Sequence, residues 1–349
     1  PPPPPPDQGA AMIRFLLKRV GTSAIVLFSL SVVVFLLTRL VPSNPAAIYA
    51  GPKARPEELE RVTIALGLDQ PLYIQFFRYL TGLVTGDWGN SLATKRPVLD
   101  ELAIRLPSTL ELLGFAMLVA LVVGVTLGVV AARKPGRILD NVIRFLAIGG
   151  VSMPAFWLGL LLQVFFVGAL GLFPATGQFS TEIKYLSPIT SVTGFPLFDS
   201  LITGNWVAYS DGLAHLVLPA LTLAAYPLGL IARMTRASML DVADQDFIFT
   251  ARAYGLREGL IRWKLALKNA LPPTMTIFGL AAAYALTGTF FVEIVFNWPG
   301  IGQFAASSML AVDYPAIVAI ALLSAAGYLI TNLVVDIVQA RLDPRARLS

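Results

Sequence analysis

The chain has 349 residues, a formal net charge of +5, no cysteine and one histidine, His215. Hydrophobic residues make up 56% and charged residues 13%, about half the charged share of soluble domains, near 25%; this excludes an ordinary soluble domain. Without cysteine there is no disulfide and no thiolate metal site, and a lone histidine rules out a multi-histidine metal site within the chain.

The elements follow in chain order. Residues 1–11 (PPPPPPDQGAA) precede Met12. A proline run has no capacity to form a core, so they are expected to be a disordered tail or an artificial extension, apart from a single membrane domain, 12–349. A spanning helix needs about 20 mostly apolar residues. Six stretches supply them: about 15–40, 108–132, 143–170, 212–236, 272–295 and 314–340. The expected fold class is therefore an all-α membrane protein with six transmembrane helices. The first apolar run, 20–38, follows Arg14, Lys18 and Arg19. It is longer than the core of a secretory signal and lacks a small-residue cleavage site, so it reads as an uncleaved span.

The 41–107 loop is too long to be structureless. Residues 56–66 open with Pro56 and carry Glu57, Glu58 and Glu60 in the first turn, and 71–83 open with Pro71. Both patterns predict short helices, placed on the outer face. The third span contains Pro154, which predicts a kink or a partner contact. The 171–211 loop, with scattered Gly, Pro, Ser and Thr, reads as irregular or weakly strand-like. The fourth span contains Pro219 and Pro227.

Orientation follows the lysines and arginines near the span ends. Arg14, Lys18 and Arg19 precede the first span, and Arg133, Lys134 and Arg137 fill the second-to-third loop. Seven more lie between Arg233 and Lys268, and Arg341, Arg345 and Arg347 end the chain. On the other side, 171–211 has only Lys184 and 296–313 has none; the 41–107 loop is basic too, but it is long and nearly balanced by acids, and long loops translocate largely regardless of charge. Both termini are expected to be cytoplasmic, and the net positive charge belongs to these loops rather than to a nucleic-acid surface.

That topology puts 246–273, DFIFTARAYGLREGLIRWKLALKNALPP, in the cytoplasm. Residues 259–271 predict an amphipathic helix with Leu260, Trp263, Leu267 and Leu271 near one face. Gly255 allows a sharp turn. Two readings are open from the residues alone: a basic amphipathic helix lying on anionic lipid, or a rigid lever that meets a soluble partner.

The motifs of the chain resemble one family. Thr250-Ala251-Arg252-Ala253-Tyr254-Gly255, followed by Leu271-Pro272, is similar to the coupling loop of ABC importer permeases. Leu66-Gly67-Leu68-Asp69-Gln70-Pro71-Leu72, Gly86-Asp87-Trp88-Gly89-Asn90-Ser91 and Arg105-Leu106-Pro107-Ser108-Thr109-Leu110 continue the likeness. So do Val292-Glu293, Phe296-Asn297-Trp298-Pro299-Gly300-Ile301-Gly302, Asp313-Tyr314-Pro315 and Leu342-Asp343-Pro344-Arg345. In this order, over essentially the whole chain, they resemble the first-permease branch of the dipeptide, oligopeptide and nickel importer family.

The resemblance implies a type I importer permease with a long structured extracytoplasmic loop after the first span, in a prokaryotic inner or plasma membrane. It implies a second homologous permease, two ATP-binding cassette subunits carrying ATP and magnesium, and an extracytoplasmic solute-binding protein. It assigns 237–271 as the coupling loop, with Phe249, Thr250, Ala251, Arg252, Ala253, Tyr254, Gly255, Leu256, Leu271 and Pro272 at the ATPase contact. It also implies uptake of peptides or a related small solute by alternating access, with no catalytic residue in this chain. Two places depart from the family pattern. Phe249-Thr250-Ala251 stands where the broader pattern has Glu-Ala-Ala, so Phe249 cannot make a polar contact there. Pro42-Ser43-Asn44-Pro45 replaces Pro-Gly-Asp-Pro.

Glu293, near the end of the fifth span, has two readings: a solute or ion contact, or a carboxylate that tethers the 296–302 turn through its backbone, which is the expectation. His215 reads as a hydrogen-bonded residue, Asp140 and Arg144 as a pair or as snorkelling groups, and Asp336 as a partner of Arg341. The chain has no G-x-x-x-x-G-K-[ST], H-E-x-x-H or G-x-S-x-G, so it offers no phosphate cradle, zincin site or nucleophile elbow. The alternative is a self-sufficient secondary transporter or channel. It would need an ionisable relay in the spans, and only Glu293, His215 and Asp336 are available, none near a midplane.

Overall fold

The computed structural model describes residues 8–40, 45–51, 54–65 and 67–342. Residues 1–7 of the proline-rich stretch, Pro42-Ser43-Asn44 of the amino-terminal departure, Leu66, and Asp343-Pro344-Arg345 of the tail motif with Arg347 lie outside the described residues, as does the Arg341 side chain. The first helix, α1 (Gln8–Leu40), reaches back into the 1–11 stretch expected to be disordered. Three helices follow, α2 (Pro45–Ala50), α3 (Pro56–Ala65) and α4 (Leu72–Thr85). The last two are those that the prolines and glutamates predict.

The second span is longer than the sequence reading: α5 runs Val98–Ala132 and carries Pro107 inside it. The helix therefore starts ten residues before 108. Pro107 fits helical φ, and the hydrogen bond it cannot donate and the crowding of its ring against the preceding turn are confined to that one turn. The third span is two helices rather than a kinked one. α6 (Ile138–Ser152) and α7 (Ala155–Leu162) meet at 115°, and a π-helical turn, Gln163–Ala169, extends the second. Pro154 forces the break, because it pushes Met153 into extended backbone (φ −85°, ψ 132°).

The 171–211 stretch is irregular up to residue 205, as expected, apart from two short helices, α8 (Ile183–Leu186) and α9 (Pro196–Ile202), that take the place of the weakly strand-like alternative. Among the described residues no β-strand is present, only a single bridge between Asn90 and Pro97. Then come α10 (Trp206–Ala243), α11 (Asp246–Ala253) and the single turn α12 (Glu258–Leu260). A π-helical turn, Ile261–Ala266, leads into α13 (Leu267–Val295), followed by α14 (Ile301–Leu310) and α15 (Tyr314–Leu342). Among the described residues five helices are long and apolar enough to cross a membrane, six if the bent pair is one span.

The chain divides into two compact units. In the first, 1–106 with 303–327, Phe35 of α1 packs its ring against Phe76 and Tyr79 of α4 at centroid distances of 5.2 and 5.6 Å. Asp313, fully buried, accepts hydrogen bonds from the Ser91 hydroxyl and the Ala93 N–H, which pins the turn before α5 to the start of α15. In the second unit, 107–302 with 328–349, α10 is the centre and packs against α6, α7, α9 and α13. Its core holds Leu112, Leu216, Leu218, Val292, Phe296 and Trp298. Gly124 and Gly128 of α5 bring it against α10: a Cβ on Gly128 would lie 2.5 Å from Thr235 and one on Gly124 2.9 Å from Ile231. Small residues four apart let membrane helices approach this closely.

Candidate functional site

The motif-bearing segment is built from α11 and the turn that ends it. Asp246 sits in the first turn of α11 and Arg252 in its last, as the helix dipole favours. Ile248 and Ala251 face inward and are buried with Val129 of α5, Met239 and Val242 of α10, and Ile261, Ala266 and Ala270. The opposite face is open. Phe249 is 55% and Tyr254 83% exposed, and Leu256, Leu260 and Trp263 are exposed as well.

The end of α11 is a Schellman cap. The Leu256 N–H donates to Ala251 O (3.2 Å) and the Gly255 N–H to Arg252 O (2.9 Å). This geometry needs a left-handed residue, and Gly255 has φ +73°. A Cβ there would meet nothing within 4 Å, so the glycine is required by backbone conformation and not by crowding. Arg252 Nε donates to Glu258 Oε1 at 3.0 Å, bridging the turn on its exposed side.

This arrangement corrects two sequence expectations. The helix expected over 259–271 is not a separate element. Its first residues form α12 and the π-helical turn, and the rest is already α13. Leu271 and Pro272 therefore lie in the first turns of the long helix and not in a loop with Gly255. Pro272 and Pro273 lie inside it, since a span tolerates proline where other groups take up the freed backbone. The short, exposed helix of the segment is α11.

Nearby, Asp140 at the start of α6 is fully buried and forms a two-pronged ion pair with Arg236 of α10, Nε at 2.6 Å and the terminal nitrogen at 2.8 Å. It also accepts from the Gly136 N–H. The sequence reading had placed Asp140 beside Arg144, on its own helix. Its partner comes from α10, a pairing that only tertiary packing can reveal.

Glu293 is fully buried near the end of α13. Its carboxylate accepts from the Thr109 hydroxyl (2.7 Å) and the Gly302 N–H (2.6 Å), and its backbone carbonyl accepts from the Trp298 N–H (2.9 Å). Thr109 in turn accepts from the Ile301 N–H, and the Trp298 indole donates to Ser108 O. A Cβ on Gly300 would fall 2.3 Å from the carboxylate, so the turn wraps the acid too closely for any side chain. The carboxylate is fully used in joining α5, α13 and the 296–302 turn.

Sequence reasoning missed three carboxylates of the same kind. Glu111 of α5 accepts from the Leu197 and Phe198 N–H groups and from Gln178. Asp199 accepts from the Val192, Thr193 and Gly194 N–H groups and the Thr193 hydroxyl. Burial alone would raise the Asp199 carboxyl, but these hydrogen bonds outweigh it and hold it below the usual range. Asp211 binds the N–H and hydroxyl of Ser180. The readable signal was an acid flanked by Gly, Ser and Thr turns, which is common in any loop. His215 Nδ1 lies 2.8 Å from Asp211 O, the hydrogen-bonded role expected of it. No group of three or more metal-ligating side chains occurs among the described residues.

Against known proteins, the profile of the family described as "Binding-protein-dependent transport system inner membrane component" matches residues 124–348. Its amino-terminal companion matches 12–113. Among curated relatives, the probable D,D-dipeptide transport system permease protein DdpB of Escherichia coli (strain K12) is 44% identical, with 92% of this chain and 94% of that one covered. The dipeptide transport system permease protein DppB of Alkalihalophilus pseudofirmus is 38% identical over 96% of this chain and all of its own length. The glutathione transport system permease protein GsiC of Escherichia coli (strain K12) is 38% identical over 96% of this chain and 99% of its own. A chain of the MetNI methionine ABC transporter, solved in inward-facing conformations, has the same fold with a TM-score of 0.51 at 18% identity. It covers 71% of this chain and 98% of that one.

Proposed function

This chain belongs to the family of binding-protein-dependent transport system inner membrane components, and on that premise we propose that it is the first permease of an ATP-driven importer for peptides or a related small solute. The multi-pass helical chain is a permease subunit of an ABC importer; its solute and its mechanism are our reading. The dipeptide, D,D-dipeptide and glutathione permeases among its relatives support a peptide-like solute. A second homologous permease completes the passage. Two ATP-binding cassette subunits supply ATP and magnesium chemistry, and a solute-binding protein delivers cargo to the 41–107 and 171–211 loops. Both termini face the cytoplasm, and no nucleic acid is involved.

The observation that carries this reading is the open face of α11. A segment whose inner face is locked into a buried cluster holds Phe249, Tyr254 and Leu256 out in solvent. Exposed apolar side chains on a rigid mount mark a docking surface. Phe249, where the family pattern has a polar residue, then inserts as an apolar side chain. Closure of the ATPases moves α11 as a unit. The buried cluster passes the displacement to α5, α10 and α13, and access alternates between the two sides of the membrane.

The test is at Gly255. Gly255→Asp is expected to insert normally but to lose the co-purifying ATPase and all uptake, because it adds a negative charge to a space the partner occupies. Gly255→Asn, which tolerates the left-handed conformation, is expected to retain the ATPase. Intact ATPase association in Gly255→Asp would count against the coupling assignment. A tagged chain that purifies without any ATPase and moves solute alone in liposomes would overturn the importer reading.

A further inference from the structure

Away from the coupling segment, a concave surface of about 330 Å³ lies between α10, α13 and the second half of α15. It is lined by Tyr226, Ile277, Leu280, Tyr284, Thr287 and Tyr328, among others, and none of its lining residues is charged. The Tyr226 and Tyr284 rings meet between α10 and α13 with centroids 4.6 Å apart and planes inclined by 36°. Tyr284 is 59% and Tyr328 47% exposed.

The depth of these tyrosines is unusual. Each lies within about one helical turn of the middle of its apolar stretch, 212–236, 272–295 or 314–340. Tyrosine belongs at membrane interfaces, where its hydroxyl meets water. At mid-depth an exposed hydroxyl facing lipid would cost several kcal/mol. Other span threonines avoid that cost by donating to their own helix: Thr126 to Val122 O, Thr222 to Leu218 O and Thr276 to Pro272 O. Thr287 makes no such bond among the described residues, and neither do the three tyrosine hydroxyls. Four unsatisfied hydroxyl groups at one depth, around one concavity, require polar company from outside the chain.

We propose that this surface is the solute-contacting midplane of the passage, and that its tyrosine hydroxyls and Thr287 hydrogen-bond the backbone amides of a peptide-like solute in transit. The proposal rests on the importer reading above. Hydroxyls both donate and accept, so they match an amide N–H and an amide C=O alike. The absence of charge lets solutes with different side chains pass without being held. A volume near 330 Å³ lies at the lower end of small-molecule sites, roughly 300 to 1,000 Å³, which suits one or two residues of a peptide.

Because the chain has no cysteine, single cysteines report cleanly. Tyr284→Cys and Tyr328→Cys would be treated, in the assembled complex in membrane vesicles, with a membrane-impermeant charged thiol reagent, with Leu118→Cys on α5 as the apolar mid-span control. Both are expected to react at least about tenfold faster than the control, and a saturating dipeptide is expected to slow them. Labelling at the control rate, as for a lipid-facing or dry subunit surface, would overturn the proposal, as would labelling that dipeptide leaves unchanged. As a second readout, the Tyr226→Phe/Tyr284→Phe pair keeps both rings and is expected to lower uptake about tenfold with normal insertion; unaltered uptake would also overturn it. Failure of the importer reading shows instead as absence of a co-purifying ATPase, which the labelling does not depend on.

Discussion

The Glu293 turn and the α11 segment use similar materials, a glycine-bearing turn beside a long helix, to opposite ends. Around Glu293 the polar groups point inward: a fully buried carboxylate, Thr109, Trp298 and the backbone of 301–302 satisfy one another. Around Gly255 the backbone is satisfied by its own cap, and the side chains Phe249 and Tyr254 are left in solvent. The difference separates holding from presenting. A turn that holds helices together spends every donor internally. A turn that presents side chains closes its backbone and leaves them free.

The largest effect is expected where the holding is tightest. Glu293→Ala strands the Gly302 N–H and the Thr109 hydroxyl in a buried site, at a cost of about 3 kcal/mol or more. It should lower the unfolding midpoint of the solubilised protein sharply. Glu293→Gln is expected to be mild. Its amide oxygen still accepts from Gly302, and its NH2 group can donate to Thr109, so uptake stays largely intact. Total loss of uptake in a well-assembled Glu293→Gln would mean that the acid acts on solute or ion and would break the comparison.

Next in size is the presenting surface. Phe249→Ala and Tyr254→Ala remove exposed side chains, so the unfolding midpoint should barely move. ATPase association should weaken by about 2 kcal/mol for each anchor truncated, read as the loss of co-purified ATPase on dilution. A fall in thermal stability without a change in association would make α11 another holding element.

Asp199 gives a smaller effect with a defined sign. Its folded carboxyl titrates below the ordinary value of 3.8, so it adds stability above the unfolded pKa, and that share is lost as pH falls through the folded value. The wild-type unfolding midpoint should therefore drop more steeply below about pH 4 than that of Asp199→Asn. Equal slopes would show that the 192–194 turn does not depend on the charge.

Legibility in the sequence follows the same division. The spans were legible because a lipid-crossing helix needs a long charge-free run. The 250–255 motif was legible because it is contiguous, and its turn at Gly255 follows from the glycine itself. Glu293 was legible as a tether because its turn lies within nine residues. The Asp140–Arg236 pair, 96 residues apart, and the Glu111 contacts to α9 were not. Those partners are chosen by packing, and no local pattern encodes it. The bend at Met153 was announced by Pro154, yet whether a proline kinks, breaks or merely sits in a helix was decided elsewhere. Pro107, Pro219 and Pro272 lie inside continuous helices.

The smallest effect sharpens the comparison most. Arg252 and Glu258 pair at 3.0 Å with their side chains 44% and 59% exposed, and exposed pairs contribute about 0–1 kcal/mol. Arg252→Ala should thus leave the unfolding midpoint within error, because the Schellman cap and the buried Ile248 and Ala251 already fix α11. If the pair only braces the turn, ATPase association should also be nearly unchanged, and restoring charge by exchanging the two residues should change nothing further. If Arg252 instead reaches the partner, Arg252→Ala should weaken association while the exchanged pair fails to rescue it. Measuring association in both variants at low and high salt separates the cases, since a contact across the interface weakens with salt and a backbone cap does not.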